Sequence, residues 1–158
     1  MNASHRPHSD EKDFMLSLAA EIEKKRLSGL VAEEAMHFPE CETEHYLDDN
    51  LHRSSWKIFK SGKNGKNLKG MLNLSAREAT LPEKELRELI NREIWRILLL
   101  VGDRAYHYRE LHPAVIKGWV QVVERAGFKL VVRFEDTGIV RQADLWDLHP
   151  AEHPGGIS

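Results

Sequence analysis

Apolar residues first recur at helical spacing near the start of the chain, where Phe14, Leu18, Ile22 and Leu30 mark one stripe that opens among acids after Asp10. The spacing predicts a helix. Ser28-Gly29 predicts an interruption, because glycine inside a helix costs about 1 kcal/mol relative to alanine, and a second short helix then runs toward Pro39. After Pro39, Leu47, Leu51 and Ile58 recur at spacings of four and seven and predict another helix, closed by Gly62 and Gly65. Residues 61–70 read as a loop rich in Gly and Asn, followed by a short strand in "GMLNLSA". Residues 1–10 show no periodicity and read as a disordered N-terminus.

The strongest pattern follows. Thr80 and Glu83 stand at capping-box spacing, Pro82 suits a first turn, and Leu86, Leu89, Ile90, Ile94, Ile97, Leu98 and Val101 share one face before Gly102. A rival reading ends this helix near Arg96 and makes "ILLLVG" a buried strand, since a short apolar run fits either period. Pro113 then suits the start of a further helix, with Val115, Ile116, Trp119, Val122, Val123 and Ala126 on one face and Gly127 as its stop. Phe128, Leu130, Val132 and Phe134 alternate, and with "DTG" and "IVRQADLW" they predict a hairpin. Residues 149–158, with two prolines and two glycines, read as a flexible tail.

These elements predict a mostly helical α+β class for the 158-residue chain: one domain over 11–148, its C-terminal helix followed by a hairpin. Within it, 11–60 is an acidic helical part, 61–70 a basic loop, and 80–148 a helix, helix and hairpin unit. That order admits a winged-helix arrangement. The rival strand reading, "ILLLVGD" then helix then "ERAGFKLVV", instead gives the cadence of an α/β protein with Asp103 at a strand end, but no glycine-rich nucleotide fingerprint accompanies it.

Composition changes little in this scheme, with 41% hydrophobic and 30% charged residues, near the average for folded domains. The lone Cys41 excludes an internal disulfide framework, and the N-terminal stretch lacks a secretory apolar core, so a reducing, cytoplasmic setting is expected. The longest apolar run, Ile97 to Val101, falls far short of the roughly 20 residues that span a bilayer, so no membrane association is expected.

Charge is the informative property. Residues 1–56 carry six basic against twelve acidic side chains, and residues 71–158 carry twelve against thirteen. Between them Lys57, Lys60, Lys63, Lys66 and Lys69 occur with no acid. With a Debye length of about 8 Å at physiological ionic strength, a ligand at this segment feels its lysines more than distant acids. Lysines on a glycine-rich backbone suit phosphates, although no P-loop is present: residue 60 is lysine where the first glycine would stand. Trp56 beside Lys57 offers a ring on which a base stacks. In the winged-helix arrangement Lys117, Gln121 and Arg125 project from the second helix, and Arg133 and Arg141 add charge on the hairpin.

Histidines supply the alternatives. Asp103, His107 and His112 around "RAYHYRELH" form a candidate acid–base set, and His45, Asp49 and His52 share one face of the helix read after Pro39, as metal ligands would. His149 and His153 form a looser cluster in the tail, and Cys41 has His37 and His45 four residues away on either side.

The sequence therefore favours a small cytosolic nucleic-acid-associated or regulatory protein, contacting DNA more readily than RNA, over catalysis; no cofactor is expected. The competing readings are a small metal-dependent hydrolase or nucleotide-using transferase, and a protein–protein adaptor without nucleic-acid contact. Acidic N-terminal helices supply a surface for a protein partner or for a homodimer.

Overall fold

The computed structural model describes residues 6–46 and 54–150. Its elements run α1 (Arg6–Ala35), β1 (Cys41–Tyr46), β2 (Ser54–Gly62), β3 (Gly65–Leu74), α2 (Ala76–Ala79), α3 (Glu83–Leu98), β4 (Arg104–Leu111), β5 (Ala114–Ala126), β6 (Lys129–Phe134), β7 (Val140–Asp144), a 3-10 turn (Leu145–Asp147) and β8 (Leu148–Pro150). Strand residues outnumber helical ones and form two antiparallel sheets, which overturns the mostly helical class. The chain divides into two units between Ile90 and Asn91, inside α3.

In the first unit β1, β2 and β3 form a meander in that order. Trp56 and Ile58 alternate with Lys57 on β2, and Leu72 and Leu74 alternate on β3, so one face of the sheet is buried. Leu27, Leu30, Val31 and Ala35 of α1 are buried as well. Trp56 ties the two layers, its Nε1 donating to Ser28 Oγ at 2.9 Å. α1 runs unbroken through Ser28 and Gly29, where an interruption was expected. The segment 54–60 is a strand because its apolar period is two, and the expected helix stripe drew on Leu47 and Leu51, which lie outside the described residues. Gly62 pairs with Gly65 across a two-residue turn, Lys63-Asn64, with Gly65 at φ +98°, so the expected basic loop is a β-hairpin.

In the second unit β4 to β7 form a meander, and β8 returns after the 3-10 turn to the other side of β4, giving the order β7-β6-β5-β4-β8. Ala105, Val120, Val122, Leu130, Val132, Phe134, Ala143, Leu145 and Leu148 form its core with Leu99. Each fully buried Leu or Phe among them contributes about 1.5–3 kcal/mol of apolar transfer. The expected helix over 113–127 is strand β5: Val115, Ile116, Val120, Val122 and Val123 are β-branched and suit a pleated surface better than a helix. Pro113 sits in the two-residue turn between Leu111 and Ala114 instead of opening a helix. With no helix before the hairpin the winged-helix arrangement falls, and with every strand pair among the described residues antiparallel the α/β alternative falls too.

α3 ends at Leu98, between the two expected ends. Arg125 explains the stop: its Nη1 donates to the carbonyls of Arg96 and Ile97, each at 3.2 Å, and to that of Leu99. The Leu99 N–H also reaches the Arg96 carbonyl, at 3.4 Å, and a cation beside these last carbonyls suits the helix dipole. Arg96, 7% exposed, donates through Nε to the Leu148 carbonyl at 3.0 Å and through Nη1 to Glu93 at 2.8 Å, so β8 is anchored to α3.

Candidate nucleic-acid interface

The three-stranded sheet carries all five lysines of 57–70 against two glutamates, Glu42 and Glu44 on β1. Only Lys66 takes a carboxylate partner among the described residues, its Nζ lying 3.4 Å from Glu44 and 3.6 Å from Glu42, and 4.3 Å from the Phe59 ring centroid. Lys57 lies 5.4 Å from the Tyr46 ring centroid. Lys60, Lys63 and Lys69 make no ion pair among the described residues. Two geometric features present Lys63 and Lys69 outward. Lys63 occupies the hairpin turn, and a register shift between Ile58 and Phe59 leaves Lys69 with no partner across the ladder, so a bulge re-aims it. Phe59 and Tyr46 add partly exposed rings beside these cations.

Trp56 is a correction. It is 1% exposed, with its ring 5.4 Å from that of His45 and its nitrogen satisfied by Ser28, so it offers no face to a base.

The five-stranded sheet of the second unit carries a different arrangement on its outward face. Register sets Arg104 opposite Gln121 and Gln121 opposite Arg133, Tyr106 opposite Trp119, and Tyr108 opposite Lys117. Alternation keeps these on one face, because Ala105, Val120, Val122, Leu130 and Val132 point into the core. The Arg104 guanidinium lies 4.1 Å from the Trp119 ring centroid while it binds Glu135 through two bonds of 2.7 and 3.0 Å; Tyr106 meets Trp119 edge-on at 5.1 Å. The Arg104 hydrogen bond, with its charge, holds the Glu135 carboxyl below its ordinary value. Lys117 and Gln121, expected on a helix, and Arg133, expected on the hairpin, share this face on strands β5 and β6. Sequence reasoning missed Arg104, Tyr106, Tyr108 and Trp119, for which the alternating tyrosines of "RAYHY" were the signal. Arg125 belongs to the α3 cap, and Arg141 pairs in register with core residue Val132, off this face.

The acid–base set does not assemble. Asp103 Oδ2 accepts from the Leu100 N–H at 2.8 Å and shapes the turn before β4. His107 is 4% exposed in the core, edge-on to Phe134 at 5.4 Å, and His112 lies in the turn beyond β4. Along a strand at about 3.3 Å per residue, Asp103 and His112 stand roughly 30 Å apart. Burial lowers the His107 pKa, partly offset by Asp147 and by the Ile116 backbone. His45 is on strand β1, not on a helix; burial lowers its pKa as well. Asp49, His52 and His153 lie outside the described residues, and no group of three metal-ligating side chains occurs among the described ones. His149 pairs in register with Tyr106 on β8, inside the expected tail. Burial, then Glu42, raises the Cys41 thiol pKa, which disfavours the nucleophilic thiolate.

No protein-family model matches the chain, and no curated protein is significantly similar to it. No helix among the described residues is long and apolar enough to cross a membrane.

Proposed function

We propose that the protein binds nucleic acid, gripping phosphates with the β2–β3 hairpin. One observation carries this reading: four of the five lysines of 57–70 meet no carboxylate among the described residues, so their charge is not spent inside the chain. Ammonium groups held on a hairpin displace condensed counterions from a phosphate backbone. The outward face of the second sheet supports the same reading from other chemistry. Tyr106, Tyr108 and Trp119 interleaved with Lys117 and Arg133 combine flat rings with cations, which suits unpaired bases and their phosphates. With the helix expected to enter a duplex groove replaced by a strand, single-stranded DNA or RNA is the ligand this chemistry favours. A cytoplasmic setting, inferred from the lone cysteine, belongs to the same proposal.

The test is a salt titration of binding to single-stranded and duplex oligonucleotides, for the natural protein and for Lys63→Glu plus Lys69→Glu. Both positions are exposed, so the fold tolerates them. Binding that falls steeply with salt and collapses in the variant supports the reading; binding indifferent to both salt and variant overturns it.

A further inference from the structure

α1 presents two apolar faces, and only one is covered among the described residues. Its buried side is marked by Leu27, Leu30, Val31 and the largely buried Glu34. At about 100° per residue, Phe14, Leu18 and Ile22 project roughly 140–180° round the helix from Leu27, on the side away from the core. They are 67%, 44% and 61% exposed, and Met15 beside them is 61% exposed. Four large apolar side chains in nine residues of one helix form a contiguous uncovered stripe, unlike the scattered single residues of an ordinary surface.

The spacing of that stripe names what fits it. Glu11, Met15, Leu18, Ile22 and Lys25 fall at intervals of four, three, four and three, the repeat by which one helix seats its side chains between those of another. An acid closes one end and a base the other. In a parallel pair of copies, Glu11 would face Glu11 and Lys25 would face Lys25, repelling at both ends. In an antiparallel pair centred on Leu18, Glu11 of each copy faces Lys25 of the other, and Phe14 and Met15 meet Ile22. A two-fold axis repeats every such contact. We infer that α1 binds a second copy of this chain through an antiparallel helix pair over residues 11–25, the partner being the same segment.

The inference does not depend on nucleic-acid binding, and its test is separate. Sedimentation equilibrium on the full chain from about 1 to about 200 µM should show a concentration-dependent monomer–dimer exchange. Leu18→Glu should abolish the dimer with the circular dichroism spectrum unchanged, since the side chain leaves no core. Glu11→Lys and Lys25→Glu should each weaken association by about tenfold, and the double exchange should restore it. Lys63→Glu plus Lys69→Glu should leave it untouched. A monomer at every concentration, or a dimer indifferent to Leu18→Glu, overturns the inference. So does a dimer that ignores both single charge changes, because a parallel or unrelated contact has that signature.

Discussion

Arg125 on β5 donates to the main-chain carbonyl of Arg96 at 3.2 Å and ends α3 from outside the helix. One side chain thus serves carbonyls that a helix otherwise closes with its own last turn. Arg125→Ala leaves those acceptors short of donors in a half-buried place, at a cost of about 2 kcal/mol. The expected outcome is a lower urea midpoint in equilibrium unfolding. Arg125→Lys should recover only part of it, since a single ammonium lacks the planar fork that also reaches Gly127.

Gly118 on β5 stands opposite His107 with φ +149°, and a β-carbon there would lie 3.3 Å from Phe134 Cδ1. Gly118→Ala combines backbone strain with crowding of a core ring and should destabilise by about 1–3 kcal/mol. Thermal unfolding checks this. Equal stability of variant and natural protein would mean that Phe134 moves aside freely.

His107 makes stability depend on pH. Burial lowers its pKa in the folded protein, with Asp147 acting in the opposite sense and Arg109 and Arg141 reinforcing the shift. Below the unfolded value of about 6.5 the unfolded chain binds the proton that the folded chain refuses. Stability is therefore complete above that pH and falls as pH drops through it toward the folded pKa. Urea midpoints measured from neutral pH into the acid range should decline less steeply in His107→Leu than in the natural protein. The comparison isolates His107 from His45, whose lowered pKa acts in the same direction.

The two nucleic-acid surfaces should leave different signatures. Lys63→Ala or Lys69→Ala should flatten the plot of log affinity against log salt by about 0.7 for a single strand. Trp119→Ala or Tyr106→Ala should lower affinity by about 1–3 kcal/mol with that slope unchanged. Fluorescence anisotropy with labelled oligonucleotides at several salt concentrations reads both. A shift of slope in the aromatic variants would mean that those rings act through the cations they support.

Individual elements were more legible than the class they build. Leu130, Val132 and Phe134 alternate cleanly, and β6 and β7 lie where a hairpin was expected. Leu86, Ile90 and Ile94 at helical spacing likewise mark α3. β5 was not legible, because Val115, Ile116, Trp119, Val122 and Val123 satisfy a period of 3.6 as well as a strand does. Gly65 was the strongest neglected signal, since a glycine free to take positive φ directly after the two turn residues Lys63-Asn64 suits the return strand of a hairpin. The lysines stood out by composition alone, whereas the Arg104–Trp119 contact depends on register between β4 and β5. Pairing of that kind is a property of the folded sheet, not of any local stretch.

The last described strand has a kinetic meaning. β8 pairs with β4, yet more than thirty residues separate Leu148 from Leu111, with β5, β6 and β7 between them. On a ribosome, a nascent chain that has already emitted β4 carries an open ladder edge until Leu148, His149 and Pro150 leave the exit tunnel. Unit two therefore completes itself only once β8 has followed β5, β6 and β7 out of the ribosome, and stalled products truncated before Leu148 should be the species that chaperones and proteases meet.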